Sequence, residues 1–258
     1  MLYICGEEAD PSARVRCPPA RPNILRSTIR VWRIELGLVA HKLELCRQIL
    51  SVDENQRADS FHFERDRNRF IAARAALRRI LAPYLHLSPG KLAFSYGANG
   101  KPGLSPAMGK SGVQFNLSHS RDHALLAMTM GRRIGADIEF IDREVATEQI
   151  ADRFFSEREA NTLRALSLQD RPAAFFRCWT RKEAYIKAVG EGLSMPLHSF
   201  DVAFGPGVAP ALLRVEGVPD EPARWRIYDI AAPEGYAAAV AVEGCSHRLQ
   251  QRDWHWEF

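Results

Sequence analysis

Apolar residues in this chain come in short runs. The longest run of small apolar side chains, Ala237 to Val242, is far below the roughly 20 residues needed to cross a bilayer. Met1 to Cys5 has neither the basic flank nor the long apolar stretch of an export signal. The interior must therefore be built from brief strands and amphipathic helices. The 258 residues are enough for one large domain or two small ones, since domains usually hold about 100 to 150 residues. A content of 46% hydrophobic and 26% charged residues is that of a globular chain, neither disordered nor membrane-spanning. The five cysteines, Cys5, Cys17, Cys46, Cys178 and Cys245, are odd in number and lack the close pairs of a zinc site or disulfide framework, which fits a reducing cytoplasm.

Residues 1–25 contain Pro11, Pro18, Pro19 and Pro22 without periodicity and read as an irregular N-terminal extension. Val31 to Leu36 alternates as a half-buried strand does. Helical patterning follows from about Val39, with a start signal at Ser51 and Glu54, and a long helix through Phe70, Ala73, Leu77 and Leu81 is expected to end before Pro83. Val113 to Leu117, Ala124 to Met130 and Ile134 to Phe140 read as strands, with a boundary near residue 130. Beyond it, Ser156 with Glu159 opens one helix. Asp170 with Pro172 opens the next, which Gly190 and Gly192 stop. Strands are then expected at Ser199 to Phe204, Trp225 to Ile230 and Tyr236 to Val242. The plan is α+β in two halves, 26–130 and 131–258.

The net charge is +4, and the stretch from Arg57 to Arg79 holds seven arginines against Asp59, Glu64 and Asp66. Two readings fit it: an anion site, or a solvated helix face with i, i+4 charge pairs. So small a net charge does not favour nucleic acid. Only six of the 35 basic side chains are lysine, so each lysine is informative.

Asp137 and Glu139 lie two apart on a strand, which puts both carboxylates on one face while Ala136 and Ile138 point the other way. On the helix from Asp170 to Val189, Trp179, Glu183 and Lys187 line one face at i, i+4 and i+8. A lone Glu–Lys pair is usually an exposed contact worth a few tenths of a kcal/mol. In a chain that prefers arginine, however, a lysine points to a group that can be tuned to deliver a proton. Carboxylates suited to Mg²⁺, next to positive charge for a leaving group, are what phosphoryl chemistry needs.

Gly135-Ala-Asp-Ile-Glu139, followed by Trp179-Thr-Arg-Lys-Glu-Ala-Tyr-Ile-Lys187, resembles the two signatures of the Sfp-type 4'-phosphopantetheinyl transferases. Gly100-Lys-Pro102 and Phe115-Asn-Leu-Ser-His-Ser120 are similar to further segments of that family. The resemblance implies a pseudodimer of two similar α+β subdomains, each with a small antiparallel sheet packed on helices, with the active site in the cleft between them. It implies a transferase that moves phosphopantetheine from coenzyme A to a serine of an apo acyl, aryl or peptidyl carrier protein, releasing adenosine 3',5'-bisphosphate. Asp137, Glu139 and Glu183 would hold Mg²⁺ or Mn²⁺, Glu183 would also take the serine proton, and Lys187 would neutralise or protonate the leaving group. Arg57, Arg69, Lys101, Ser118, His119 and Lys182 would contact coenzyme A. Trp179 reads as core packing, and His62 and His123 as structural. A monomer suffices, because one chain supplies both walls of the cleft.

Two other readings use the same residues. A divalent-metal phosphohydrolase or nuclease needs acidic ligands beside basic phosphate contacts too. A catalytically inactive carrier-protein-binding module has no use for three clustered carboxylates, whose repulsion is costly without a cation.

Overall fold

The computed structural model describes residues 27–97, 100–108, 111–145, 147–190, 192–245 and 248–258; the extension expected over residues 1–25 lies outside them. In chain order the elements are strand β1 (Thr28–Glu35), helices α1 (Ala40–Arg47), α2 (Val52–Asp59) and α3 (Glu64–Leu85), and strands β2 (Phe94–Tyr96), β3 (Pro102–Leu104), β4 (Val113–Ser120), β5 (His123–Met130) and β6 (Ile134–Phe140). Helices α4 (Thr147–Phe154), α5 (Glu157–Arg164) and α6 (Arg171–Val189) follow. Strands β7 (Phe200–Val202) and β8 (Leu212–Val215), the short helix α7 (Glu221–Arg224), and strands β9 (Trp225–Asp229), β10 (Tyr236–Glu243) and β11 (Arg248–Asp253) complete the chain.

Side-chain alternation along the strands sorts these elements into layers. In β1 and β5, Trp32, Ile34, Leu126 and Met128 face the core that holds Leu77 and Leu81 of α3, while Ile29, Val31, Leu125 and Ala127 face the other way. That second face meets Ile134, Ala136 and Ile138 of β6 and Val240 and Val242 of β10. Two sheets thus pack face to face, with α3 outside one and α6 outside the other, so that the facing apolar sides of these sheets are buried. The outer core under α6 contains Phe175, Tyr185, Phe200 and Trp225.

The second sheet, β6-β10-β9, is antiparallel as expected. The first is ordered β11-β1-β5-β4, and β11 runs parallel to β1. The parallel pairing departs from the expectation of an antiparallel sheet in each half, and β11, from the stretch 131–258, lies in the sheet of the first. The last strand crosses back and pairs with the open edge of β1, satisfying backbone groups that would otherwise stay unpaired.

The helix expected to stop before Pro83 continues to Leu85 and ends at His86 in the left-handed region. Proline removes a single hydrogen bond near the helix end, and Tyr84 and Leu85 pack on the core. Both capping boxes form: Glu54 accepts the Ser51 N–H at 3.0 Å, and Ser156 and Glu159 exchange backbone-to-side-chain bonds.

The arginine-rich segment is only partly a surface. Arg74 and Arg78 are buried, and both donate to Glu54, at 2.7 and 2.6 Å from their Nε atoms. Arg78 also holds the carbonyls of Pro89 and Leu92. Neither the solvated-face nor the anion-site reading applies to these two; they anchor α2 and the chain ahead of β2 to α3.

Candidate active site

Ile134, Ala136 and Ile138 fill the inter-sheet core, so Gly135, Asp137 and Glu139 of β6 are directed at α6. Gly135 makes the approach possible. A Cβ there would stand 2.1 Å from the Ala184 carbonyl oxygen and 2.4 Å from the Ala188 nitrogen, so only glycine lets α6 come this close. The contact places Lys187 Nζ 2.5 Å from Asp137 Oδ1 and 3.2 Å from Ser118 Oγ.

Alternate residues of β4 bind the edge of the second sheet. Asn116 Oδ1 accepts the Ala136 N–H at 2.8 Å, Ser118 Oγ donates to Asp137 Oδ1 at 2.9 Å, and Ser120 Oγ donates to Glu139 Oε2 at 2.8 Å. Ser120 Oγ also accepts the Phe140 N–H at 3.1 Å. This ladder carries the two acidic side chains and fixes the halves to each other. Asn116 and Ser120 were not singled out from the sequence, although their period-two spacing with Ser118 was there to read.

Burial, then the charge of Asp137, push the Glu139 pKa up to about 7, with Ser120 and Lys187 opposing and Glu183 adding the smallest rise. Burial raises that of Glu183 as well, with Lys187 opposing and Asp137 reinforcing the rise. Among the described residues no group of three His, Cys, Asp or Glu side chains stands ready to hold a metal ion, and the Lys187 ammonium lies against Asp137. The donor set nonetheless suits a cation. Asp137 Oδ2 is buried without a hydrogen-bond partner in the described structure, and added positive charge would relieve the strain on two carboxylates whose pKa values are raised.

The other expected site residues divide. Ser118 joins the Asp137–Lys187 pair. Lys101 is close by, but its ammonium donates to the carbonyls of Ile134 and Lys187, and burial, then the charges of Lys187 and Arg133, bring its pKa down to about 8. His119 is exposed, yet the surrounding protein partly desolvates it, and this, then the charges of Lys187 and Arg69, lowers its pKa. Arg69 is engaged by Asp122 at 2.8 Å and by Asp66. Arg57 is exposed on α2 with its guanidinium 5.6 Å from the centre of the Phe70 ring.

Lys182 is a correction. Expected to reach phosphates, it is fully buried on a different face of α6, where its Nζ pairs with Glu159 at 2.7 Å and donates to the carbonyls of Leu197 and Phe200. Glu183 and Lys187, four apart, share one face of the helix; Lys182 falls on another. Trp179 packs with Phe155 and Phe175, and His123 lies edge-on to Tyr236.

At the C-terminal end of α6 runs a cleft of about 690 Å³ with walls from both halves: Ser95, Lys101, Gln114 and Phe115 on one side, Arg133 and Gly190 on the other. It shares the C-terminal end of α6 with the Lys187 cluster but does not enclose Asp137.

Two family models cover most of the chain: residues 133–241 match the 4'-phosphopantetheinyl transferase superfamily, and residues 39–131 match a 4'-phosphopantetheinyl transferase N-terminal domain. The 4'-phosphopantetheinyl transferase HetI of Nostoc sp. is 39% identical over 240 residues, which is 92% of this chain and 97% of the relative. The chain belongs to the 4'-phosphopantetheinyl transferase superfamily. It is a transferase that moves phosphopantetheine onto carrier proteins, and the phosphohydrolase, nuclease and inactive-module readings are set aside. A 4'-phosphopantetheinyl transferase of Bacillus subtilis is 32% identical, covering 75% of this transferase and 82% of the relative. The holo-[acyl-carrier-protein] synthase of Thermotoga maritima is similar in structure over 45% of this chain and 63% of its own, with a TM-score of 0.35 and 22% identity. No helix among the described residues of this transferase is long and apolar enough to cross a membrane.

Proposed function

We propose that Asp137, Glu139 and Glu183 hold Mg²⁺ or Mn²⁺ and that the cleft at the C-terminal end of α6 takes coenzyme A, so that transfer occurs where the two halves meet near residue 130. The observation that carries this reading is the buried, unpartnered Oδ2 of Asp137 beside two carboxylates with raised pKa values. When bound, a divalent cation supplies positive charge to the pyrophosphate of coenzyme A.

The serine Oγ of the carrier forms a bond to the phosphorus that bears pantetheine, and the bridging P–O bond to the nucleotide breaks. Glu183 takes the serine proton; burial raises its pKa, which makes the carboxylate a stronger base. Adenosine 3',5'-bisphosphate departs with the bond electrons, and Lys187 offsets its charge. Lys101, His119 and Arg69 are the cations left to meet the remaining phosphates; Lys101 must exchange its carbonyl partners, and Arg69 its carboxylate partners Asp122 and Asp66, to do so. Ser118 orients Asp137 and Lys187 through its hydroxyl. Acyl, aryl or peptidyl carriers are the acceptors, and the enzyme works as a cytoplasmic monomer.

The test is substitution of Asp137 by Asn and of Glu183 by Ala. Each removes an anionic ligand, and transfer should fall by at least about a hundredfold with the circular dichroism spectrum unchanged. Rapid carrier modification by a folded Glu183→Ala enzyme would remove Glu183 from the mechanism.

A further inference from the structure

The turn between β4 and β5 consists of Arg121 and Asp122, and Arg121 has φ 47°. That is the left-handed region, which favours glycine and is strained for a long side chain. The side chain is well used. Its guanidinium carbon lies 3.4 Å from the centre of the Phe140 ring, and Nη2 is 3.1 Å from Asp142 Oδ2. Asp142 is itself oriented, because its other oxygen accepts the Glu144 N–H at 3.1 Å. On the far side of the turn, Arg69 binds the Asp122 carboxylate and the Asp122 carbonyl accepts the Leu36 N–H at 2.8 Å.

We propose that Arg121 is a positioning residue for phosphopantetheinyl transfer, clamping the β4–β5 turn of one half onto Phe140 and Asp142 of the other so that Ser120 holds the Glu139 carboxylate in place. The inference rests on the reading of Glu139 as a cation ligand. Ser120 and Arg121 grip Glu139 and Phe140 as a unit: the serine hydroxyl bonds the carboxylate and the next backbone N–H, and the guanidinium covers the next ring. Glu139 needs such a restraint, because Asp137 and Glu183 repel it toward solvent. Fold stability does not account for the arrangement. The Arg121–Asp142 pair is about half exposed and so adds little, and the backbone strain offsets what the guanidinium gains over the Phe140 ring.

The test compares Arg121→Gly, Arg121→Ala and Arg121→Lys with Glu139→Gln in the full chain, reading Mn²⁺ affinity by electron paramagnetic resonance of free Mn²⁺, the Mg²⁺ concentration for half-maximal transfer, and Tm. Glycine relieves the strain, so Arg121→Gly should keep or raise Tm yet bind Mn²⁺ about tenfold more weakly and need about tenfold more Mg²⁺, with kcat at saturating Mg²⁺ within a few-fold of wild type. Arg121→Ala should show the same metal defect, and Arg121→Lys should recover part of it. Wild-type metal affinity in Arg121→Gly, with Glu139→Gln weakened, overturns the positioning role. A fall in Tm without any change in metal affinity does so too, reducing Arg121 to a structural part. A Glu139→Gln enzyme unchanged in Mn²⁺ binding and transfer overturns instead the assignment of Glu139 as a ligand.

Discussion

Lys187 Nζ lies 2.5 Å from Asp137 Oδ1, so the last turn of α6 and the middle of β6 share one ion pair. Burial works against the ammonium, but Asp137 first and then Glu183 and Glu139 outweigh it, and the Lys187 pKa is raised above the usual lysine value. The side chain stays charged through the neutral range, which favours an electrostatic part in the reaction over proton donation. Lys187→Ala should lose about a hundredfold in kcat, whereas Lys187→Arg should keep at least about a tenth with an unchanged pH profile. An alkaline limb of kcat that disappears in Lys187→Arg would make Lys187 a proton donor after all.

Gly135→Ala tests the close approach of β6 and α6. Its Cβ would collide with helix backbone rather than with a side chain that can turn away. The variant should be destabilised by at least about 2 kcal/mol in denaturant unfolding, as overpacking is, and should lose transfer in proportion to the displacement of Lys187. Wild-type stability would mean that the two backbones are not in contact.

Lys182 should behave as a structural residue. Lys182→Met leaves the Glu159 carboxylate buried without its cation, a loss of about 3–5 kcal/mol. The folded fraction should keep the KM for coenzyme A and the kcat of wild type. A raised KM with unchanged stability would return Lys182 to the phosphates.

Glu243 provides a pH test. Hydrogen bonding to Arg133, with burial opposing and Arg224 reinforcing, lowers its pKa to about 2 from an ordinary 4.5. A carboxylate depressed in the folded state stabilises above its unfolded pKa and loses that contribution as pH falls through its folded one. Wild type should therefore lose Tm more steeply than Glu243→Gln between about pH 4.5 and 2, and high salt should narrow the difference because the partners are half exposed. Parallel curves for the two proteins would show that the pair adds nothing.

The reach of the sequence followed local rules. Period-two alternation placed Asp137 and Glu139 on one face of β6, and i, i+4 spacing placed Glu183 beside Lys187. Capping boxes fixed the starts of α2 and α5, because each depends on neighbours within a few residues. Distant pairings were less legible. Arg74 and Arg78 looked like a charged surface because their partner, Glu54, lies about 20 residues upstream and meets them only when α2 docks on α3. Lys182 is adjacent to Glu183 in sequence, yet a helix turns neighbours about 100° apart, and its partner Glu159 belongs to another helix. The return of β11 to β1 is a pairing between the two ends of the described chain, which no local pattern announces.

Intact mass spectrometry of an apo carrier protein incubated with the enzyme, coenzyme A and Mg²⁺ tests the central claim most directly. The account predicts a gain of one phosphopantetheine on a single serine, prevented by a chelator, restored by added Mg²⁺ and slowed at least about a hundredfold by Asp137→Asn. Full modification at the wild-type rate by Asp137→Asn, or in the presence of chelator, would contradict it.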